Sequence, residues 1–248
     1  GIVMDDGTTT RISENHYHMT TTTAQAANVL SHLEYYLQIV WPELNVNVVS
    51  TTEQWAGAAI AGPKSRDMLS KLYPDLDVSN DALPFMGYKE AEFFGVPSRI
   101  FRISFSGELA YEINVKSDHG MFMWEKMMEV GKEFGNQPYG TEALSTLRIE
   151  MGHVAGPELD GRTIPSDVSL NGLVSKKKDF IGKNSLGREA FNVESRQKIV
   201  GLIPIDRKSS IPEGSHIVQD QNAKLPNPKL GHVSSSCWSV ENNNPFSL

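Results

Sequence analysis

Cysteine is nearly absent: Cys237 is the single one in 248 residues. One thiol excludes an internal disulfide framework and a cysteine-rich zinc site, and it suits a reducing compartment such as the cytoplasm. No apolar run approaches the roughly 18 residues that a membrane span needs. Basic charge is also scarce, with 23 Lys and Arg against 30 Asp and Glu and a formal net charge of -7. A chain without clustered cations has little with which to track a phosphate backbone, so nucleic acid is excluded as a partner. There is no P-loop and no Gly-x-Gly-x-x-Gly after a strand, so a dinucleotide cradle has no support. The opening Gly1-Ile2-Val3-Met4-Asp5-Asp6 lacks the basic-then-apolar order of a signal peptide and lacks Met, and we expect a fragment or a processed chain. Of the seven histidines only His16 and His18 are close, with no third ligand nearby, so no metal is expected. Ser104, Ser106 and Cys237 lie outside any nucleophile elbow, which removes covalent catalysis.

What is present suffices for a core: 39% of the residues are hydrophobic. Asp5-Asp6-Gly7 reads as the turn of a hairpin between Ile2 to Met4 and Thr8 to Ile12. Ala26, Leu30, Leu33, Leu37 and Val40 recur at helical spacing until Pro42, with N-cap candidates in Thr20 to Thr23. Ala56 to Ala61 reads as a buried strand, followed after Gly62-Pro63 by a helix bearing Met68, Leu69 and Leu72. Phe101, Ile103 and Phe105, then Tyr111, Ile113 and Val115, alternate with polar residues as a hairpin around Gly107-Glu108. Asp118 is placed to cap a helix with Met121, Trp124 and Met128 on one face, and Ala143, Leu147 and Met151 mark another helix. This order predicts an α+β fold with a split βαβ sandwich. After Arg196 the composition turns to Pro, Gly, Ser and Asn, with a short strand at Val200 to Ile205 and an apolar strand opening at Asn244 to Leu248. We therefore expect one α+β domain over residues 1–195 and a small, incomplete β-barrel module over 196–248.

The carboxylates carry the chemistry. Asp5 and Asp6 are adjacent, and neighbouring carboxylates in a partly dry place have their pKa values pushed apart, which suits proton handling at an amine; Asp-Asp-Gly is equally good turn chemistry. Glu112 alternates with Tyr111 and Ile113. If its face is covered, it can accept two hydrogen bonds from an amidine-like edge such as that of a pterin; if the face is open, it is ordinary strand surface.

Gly1-Ile2-Val3-Met4-Asp5-Asp6, Phe105-Ser106-Gly107-Glu108-Leu109-Ala110-Tyr111-Glu112-Ile113, Leu147-Arg148-Ile149-Glu150-Met151-Gly152 and Asp179-Phe180-Ile181-Gly182-Lys183 resemble successive blocks of the glycine-cleavage T-protein (aminomethyltransferase) family. Thr20 to Thr23, Glu53-Gln54-Trp55-Ala56, Gly62 to Asp67 and Gly231 to Ser236 further resemble its subgroup in the α subunits of heterotetrameric sarcosine oxidases. The resemblance implies a folate-binding aminomethyltransferase-like fold that passes a one-carbon unit, made at a flavin from sarcosine, to tetrahydrofolate as 5,10-methylene-tetrahydrofolate. It implies FAD or FMN and NAD on other parts of the complex, and other subunits as partners, above all a flavin-bearing β subunit. Asp6 matches the family's reactive aspartate and Glu112 its pterin-gripping glutamate; Asp5, Thr22, Phe105 and Tyr111 are further pocket candidates.

Three positions depart from T-proteins. Phe105 replaces an aromatic hydroxyl, Thr22 an asparagine, and Leu144 an arginine expected at the folate's acidic tail. All three fit the sarcosine oxidase subgroup. They also leave two rivals open, a non-catalytic folate-binding or assembly module and a free-standing T-protein-like methyltransferase.

Overall fold

The computed structural model describes residues 1–248 as a mixed α+β chain. Its backbone divides into two compact units, one of Gly1–Thr9, His16–Val29 and Ser145–Leu248, the other of Thr10–Asn15 and Leu30–Leu144.

The first chain reversal lies later than the sequence suggests. β1 (Thr9–Ser13) and β2 (His16–Met19) form a two-stranded sheet that turns at Glu14-Asn15. Asp5-Asp6-Gly7 is no turn. A Cβ on Gly7 would lie 2.0 Å from the Thr20 carbonyl oxygen, and the Thr20 N–H donates to Thr8 O at 2.8 Å. Glycine is needed there for close backbone approach. α1 (Ala26–Tyr35) runs into a single π turn, Tyr36–Val40, and ends before Pro42 as its spacing predicts. None of its side chains is buried.

The second unit is built on one antiparallel sheet in the order β3-β6-β5-β4, with β3 (Trp55–Ala61), β4 (Tyr88–Phe93), β5 (Val96–Phe101) and β6 (Ala110–Lys116). Helices α2 (Ser65–Leu72) and α3 (Gly120–Gly131) complete it. Side chains alternate between the faces of a strand, so β6 sorts its residues by parity. Tyr111, Ile113 and Val115 join Ile60 and Ile100, with Met68, Leu69 and Leu72 of α2 and Met123 and Met127 of α3, in one buried cluster. Glu112 takes the other face, between Ala59 of β3 and Phe101 of β5.

Three readings of this unit are corrected. The strand that pairs with β6 ends at Phe101, so Ile103 and Phe105 lie in the loop 102–109. Arg102 turns the chain there: its N–H donates to Gly87 O, and its guanidinium donates to Leu83 O at 3.0 Å. The β4–β5 hairpin, turning at Phe94-Gly95 with φ of 50° and 84°, had no clear signal, because Lys89, Glu90, Glu92 and Pro97 break the apolar alternation. In α3, Asp118 belongs to a preceding 3₁₀ turn, Ser117–His119, and does not cap the helix. The buried face is Met123, Met127 and Gly131, while Met121 is 70% exposed. The cause is Gly120, whose added Cβ would come within 2.8 Å of the Ala56 side chain. That close start points the stripe at 120, 123, 127 and 131 toward the sheet.

α4 (Thr141–Glu150) forms as its spacing predicts, but buries Arg148 and Ile149, while Met151 lies beyond it and exposed. In the first unit, β7 (His216–Val218) pairs with β8 (Lys229–His232), and β9 (Ser236–Ser239) with β10 (Asn244–Ser247). They form two antiparallel pairs. The strand expected at Val200 to Ile205 reduces to one bridge, Leu202 to Ser247, whereas the strand expected from Asn244 is present.

Ile113 is fully buried at the centre of the sheet. Ile113→Ala is expected to lower unfolding stability by about 2–5 kcal/mol, measured by urea titration; a loss below about 1 kcal/mol would show a core that tolerates the cavity.

Candidate functional site

In the first unit the structure brings together Asp5, Asp6 and Thr22. The Thr22 N–H and hydroxyl donate to the two oxygens of Asp5, at 2.9 and 2.8 Å. This double bond set ties the opening segment to the chain just after β2, and Thr8 and Thr20 join their hydroxyls at 3.0 Å beside it. Asp5 is thereby occupied as an acceptor. Asp6 is half-buried, and its carboxyl sits above the usual aspartate range: burial is the main cause, the charge of Asp5 adds to it, and His153 opposes it.

His153 was invisible as a partner in sequence, because 147 positions separate it from Asp6. A buried ion pair places it. The Arg148 guanidinium is enclosed, donating to the Glu158 carboxylate at 2.8 Å, to the Ser235 hydroxyl at 2.6 Å and to the His153 carbonyl at 3.2 Å. The His153 N–H donates back to Arg148 O at 2.8 Å. Glu158 also accepts from the Ala155 N–H and from the hydroxyls of Ser234 and Ser235. Burial would raise the Glu158 carboxyl, but the bonds from Ser235, Ala155 and Ser234 and the charge of Arg148 outweigh it and hold it low. The segment after this turn meets the opening segment, where the Val3 N–H donates to Thr163 O at 2.8 Å.

In the second unit, Glu112 is partly buried, with its backbone in the sheet and no hydrogen bond from its side chain; burial alone raises its carboxyl. The apolar neighbours Ala59 and Phe101 on the adjoining strands supply that dryness, and the Tyr88 ring packs on Phe101 with centroids 5.2 Å apart. A partly buried carboxylate with no donor inside the protein can accept N–H groups from a ligand. Tyr111 is not beside it. Being the adjacent residue on the strand, it points to the opposite face, fully buried, with the Arg66 guanidinium 5.9 Å from its ring centre and its hydroxyl unpaired. Phe105 lies in the 102–109 loop, 36% exposed, and Leu144 on α4 is half-buried.

Cys237, on β9, is half-buried, with its thiol directed at Thr146 O at 3.8 Å and raised above the usual range mainly by burial, as suits a structural thiol. A cavity of about 370 Å³ lies in the first unit, lined by residues that include Asp167, Arg196, Lys198 and His232, and it contains none of the site residues read from the sequence. Arg196 and Asp167 are paired with each other there. No group of three or more His, Cys, Asp or Glu is arranged to hold a metal ion.

The second unit's four-stranded antiparallel sheet with two helices, and the adjacent aspartates Asp5 and Asp6 of the first unit, belong to an aminomethyltransferase-like fold. The glycine cleavage system aminomethyltransferase T from Bartonella henselae superposes with a TM-score of 0.79 at 22% identity, over 99% of this chain and 63% of that one. Residues 1–178 match the GCVT N-terminal domain, and the chain belongs to that family. It is 46% identical to the sarcosine oxidase subunit alpha of Rhizobium meliloti (strain 1021) over 96% of this chain and 24% of that protein. It is 30% identical to an aminomethyltransferase of Chloroherpeton thalassium over 96% of this chain and 62% of that protein. The chain thus spans about a quarter of the length of the sarcosine oxidase subunits it matches.

Arg148→Met strands Glu158 as a buried, unpaired charge and is expected to cost about 3–5 kcal/mol of unfolding stability. Because the folded Glu158 carboxyl is held low, its stabilising contribution is present above the ordinary glutamate range and is lost as pH falls through the folded value. Glu158→Gln should accordingly be less stable at neutral pH and show a flatter decline on acidification in urea titrations from pH 7 to 3.

Proposed function

We propose that this chain is the tetrahydrofolate-binding, one-carbon-transfer portion of a sarcosine oxidase α subunit. In this reading it acts within a larger protein that also carries the flavin and NAD sites and docks other subunits, including a flavin-bearing one, in the cytoplasm. The observation that carries the reading is Glu112: a family-matched carboxylate, dried by Phe101 and Ala59, with no donor of its own. The 2-amino and ring N–H groups of a pterin are a planar pair of donors suited to it. Residues 1–195 form the folate-binding portion and 196–248 a β module.

Tetrahydrofolate is a substrate here, the acceptor of a methylene unit bound to its N5 and N10 nitrogens. Two N–H bonds are replaced by two N–C bonds as 5,10-methylene-tetrahydrofolate forms from the imine of sarcosine, CH2=N–CH2–COO⁻, whose C=N bond breaks while its nitrogen takes up the two protons and leaves as the amine of glycine. The amine nitrogen must shed a proton. Asp6, half-buried and not engaged as Asp5 is, takes or orients that proton. Thr22 sets Asp5, and through it the direction of Asp6. Phe105 lines the loop before β6, where it supplies apolar contact but no hydroxyl, and Tyr111 supports the strand from behind. Phe105, Thr22 and Leu144, which depart from T-proteins, favour a second reading as an assembly module; folate binding separates the two.

Glu112→Gln in the full-length protein should weaken tetrahydrofolate binding by about 1–3 kcal/mol, read by calorimetry; unaltered affinity would overturn the pterin assignment. Asp6→Ala should leave sarcosine oxidation intact while diverting the one-carbon product from methylene-tetrahydrofolate to free formaldehyde. An unchanged product ratio would remove Asp6 from the transfer step.

A further inference from the structure

The sheet face that carries Glu112 carries a cation as well. Residues paired across neighbouring strands share a face, so the register lays that face out in rows about 7 Å apart. Glu112 and Phe101 stand in the first row, Asn114 and Arg99 in the second, Trp55 and Lys116 in the third. The face passes from dry to wet along its length: Phe101 is 3% exposed, whereas Lys116 is exposed, as are Glu92 and Pro97, paired at the same end. Between the ends, Asn114 lies flat on Gly57, where an added Cβ would come within 2.8 Å of Asn114 Oδ1. The middle row therefore stays low.

Arg99 is held without being satisfied. Its side chain is 15% exposed, yet its Nε is buried with no hydrogen bond, 3.5 Å from an oxygen of Glu90, whose own side chain is 58% exposed. Buried polar groups as a rule find partners. Glu112 is its diagonal neighbour on the face, within reach of a long side chain, but the two opposite charges form no ion pair. Arg99 turns instead to the wetter end, where its Cζ lies 4.2 Å from the centre of the Trp55 ring. A guanidinium backed by an indole presents a flat fork, the shape that receives a carboxylate.

Two opposite charges that share a face and are kept apart suit a ligand with N–H donors at one end and an anion at the other. Folate is built so: a pterin edge, a benzoyl spacer and a glutamate tail. We propose that Arg99, held on Trp55, is the subsite for a glutamate carboxylate of tetrahydrofolate, and that it sets a preference for folates that carry the glutamate over those that lack it. This rests on the functional reading above, which seats the pterin at Glu112. The dry end then encloses the uncharged ring, and the charged tail leaves through the wet end.

The test is calorimetric titration of the full-length protein with tetrahydrofolate and with tetrahydropteroate, which keeps the pterin and benzoyl groups but has no glutamate. The unmodified protein should bind tetrahydrofolate about tenfold or more tightly than tetrahydropteroate, as one charge-assisted contact implies. Equal affinities overturn the proposal without any variant. Arg99→Gln should abolish the preference while leaving tetrahydropteroate affinity, and hence the fold, intact; a preference that survives overturns the proposal. If Arg99→Gln loses both ligands, Arg99→Lys decides: charge without a fork should lessen the preference and spare tetrahydropteroate, and an undiminished preference counts against Arg99. If the unmodified protein binds neither ligand, the functional reading falls, and p-aminobenzoyl-glutamate decides the subsite. Saturable binding of that fragment, abolished in Arg99→Gln, upholds it; no binding, or binding indifferent to Arg99, removes it.

Discussion

The buried pairing of Arg148 with Glu158 holds together most of what matters in the first unit. Both side chains are almost completely enclosed, a costly arrangement that only pays for itself when every lone pair and proton is used. Here they are. Arg148 reaches Glu158, Ser235 and the His153 carbonyl, and Glu158 collects donors from Ala155, Ser234 and Ser235. One ion pair thus links α4, the turn after it and the residues entering β9, and it fixes the backbone of His153.

The two carboxylates on which the functional reading rests are made reactive in different ways. Glu112 is deprived: its neighbours across the sheet are Ala59 and Phe101, and it has no donor. Asp6 is crowded: it shares its place with Asp5, and His153 relieves part of the strain. A deprived carboxylate is suited to holding a donor pair in place, whereas a crowded one is suited to taking up a proton. The same chemical group is thus set in two different surroundings, one dry and one crowded with charge.

Local pattern made the fold legible where it was strong. The helical spacing from Ala26 and from Met68, and the alternation from Tyr111 to Val115, appear in the structure as read. The errors came from close backbone approach, which leaves little trace beyond a glycine: Gly7 against Thr20 removed the expected turn, and Gly120 against Ala56 rotated the buried face of α3. Glu112 was legible as a residue, yet whether its face was wet or dry depended on Phe101, whose strand register was misread by assigning Ile103 and Phe105 to it. His153 could not be read at all. Its backbone is held by Arg148, whose own place depends on Glu158 and Ser235, contacts between distant parts of the chain that carry no sequence spacing.

The parity of β6 has an evolutionary consequence. Tyr111 and Glu112 are neighbours in the chain that inhabit opposite worlds, one inside the core and one toward the sheet's other face. Substitutions along this strand can be graded, since each alters one side chain. Insertion or deletion of a single residue cannot, because it would carry the carboxylate into the core and turn the tyrosine out. The strand from Ala110 to Lys116 is therefore free to vary in composition within each face but locked in length.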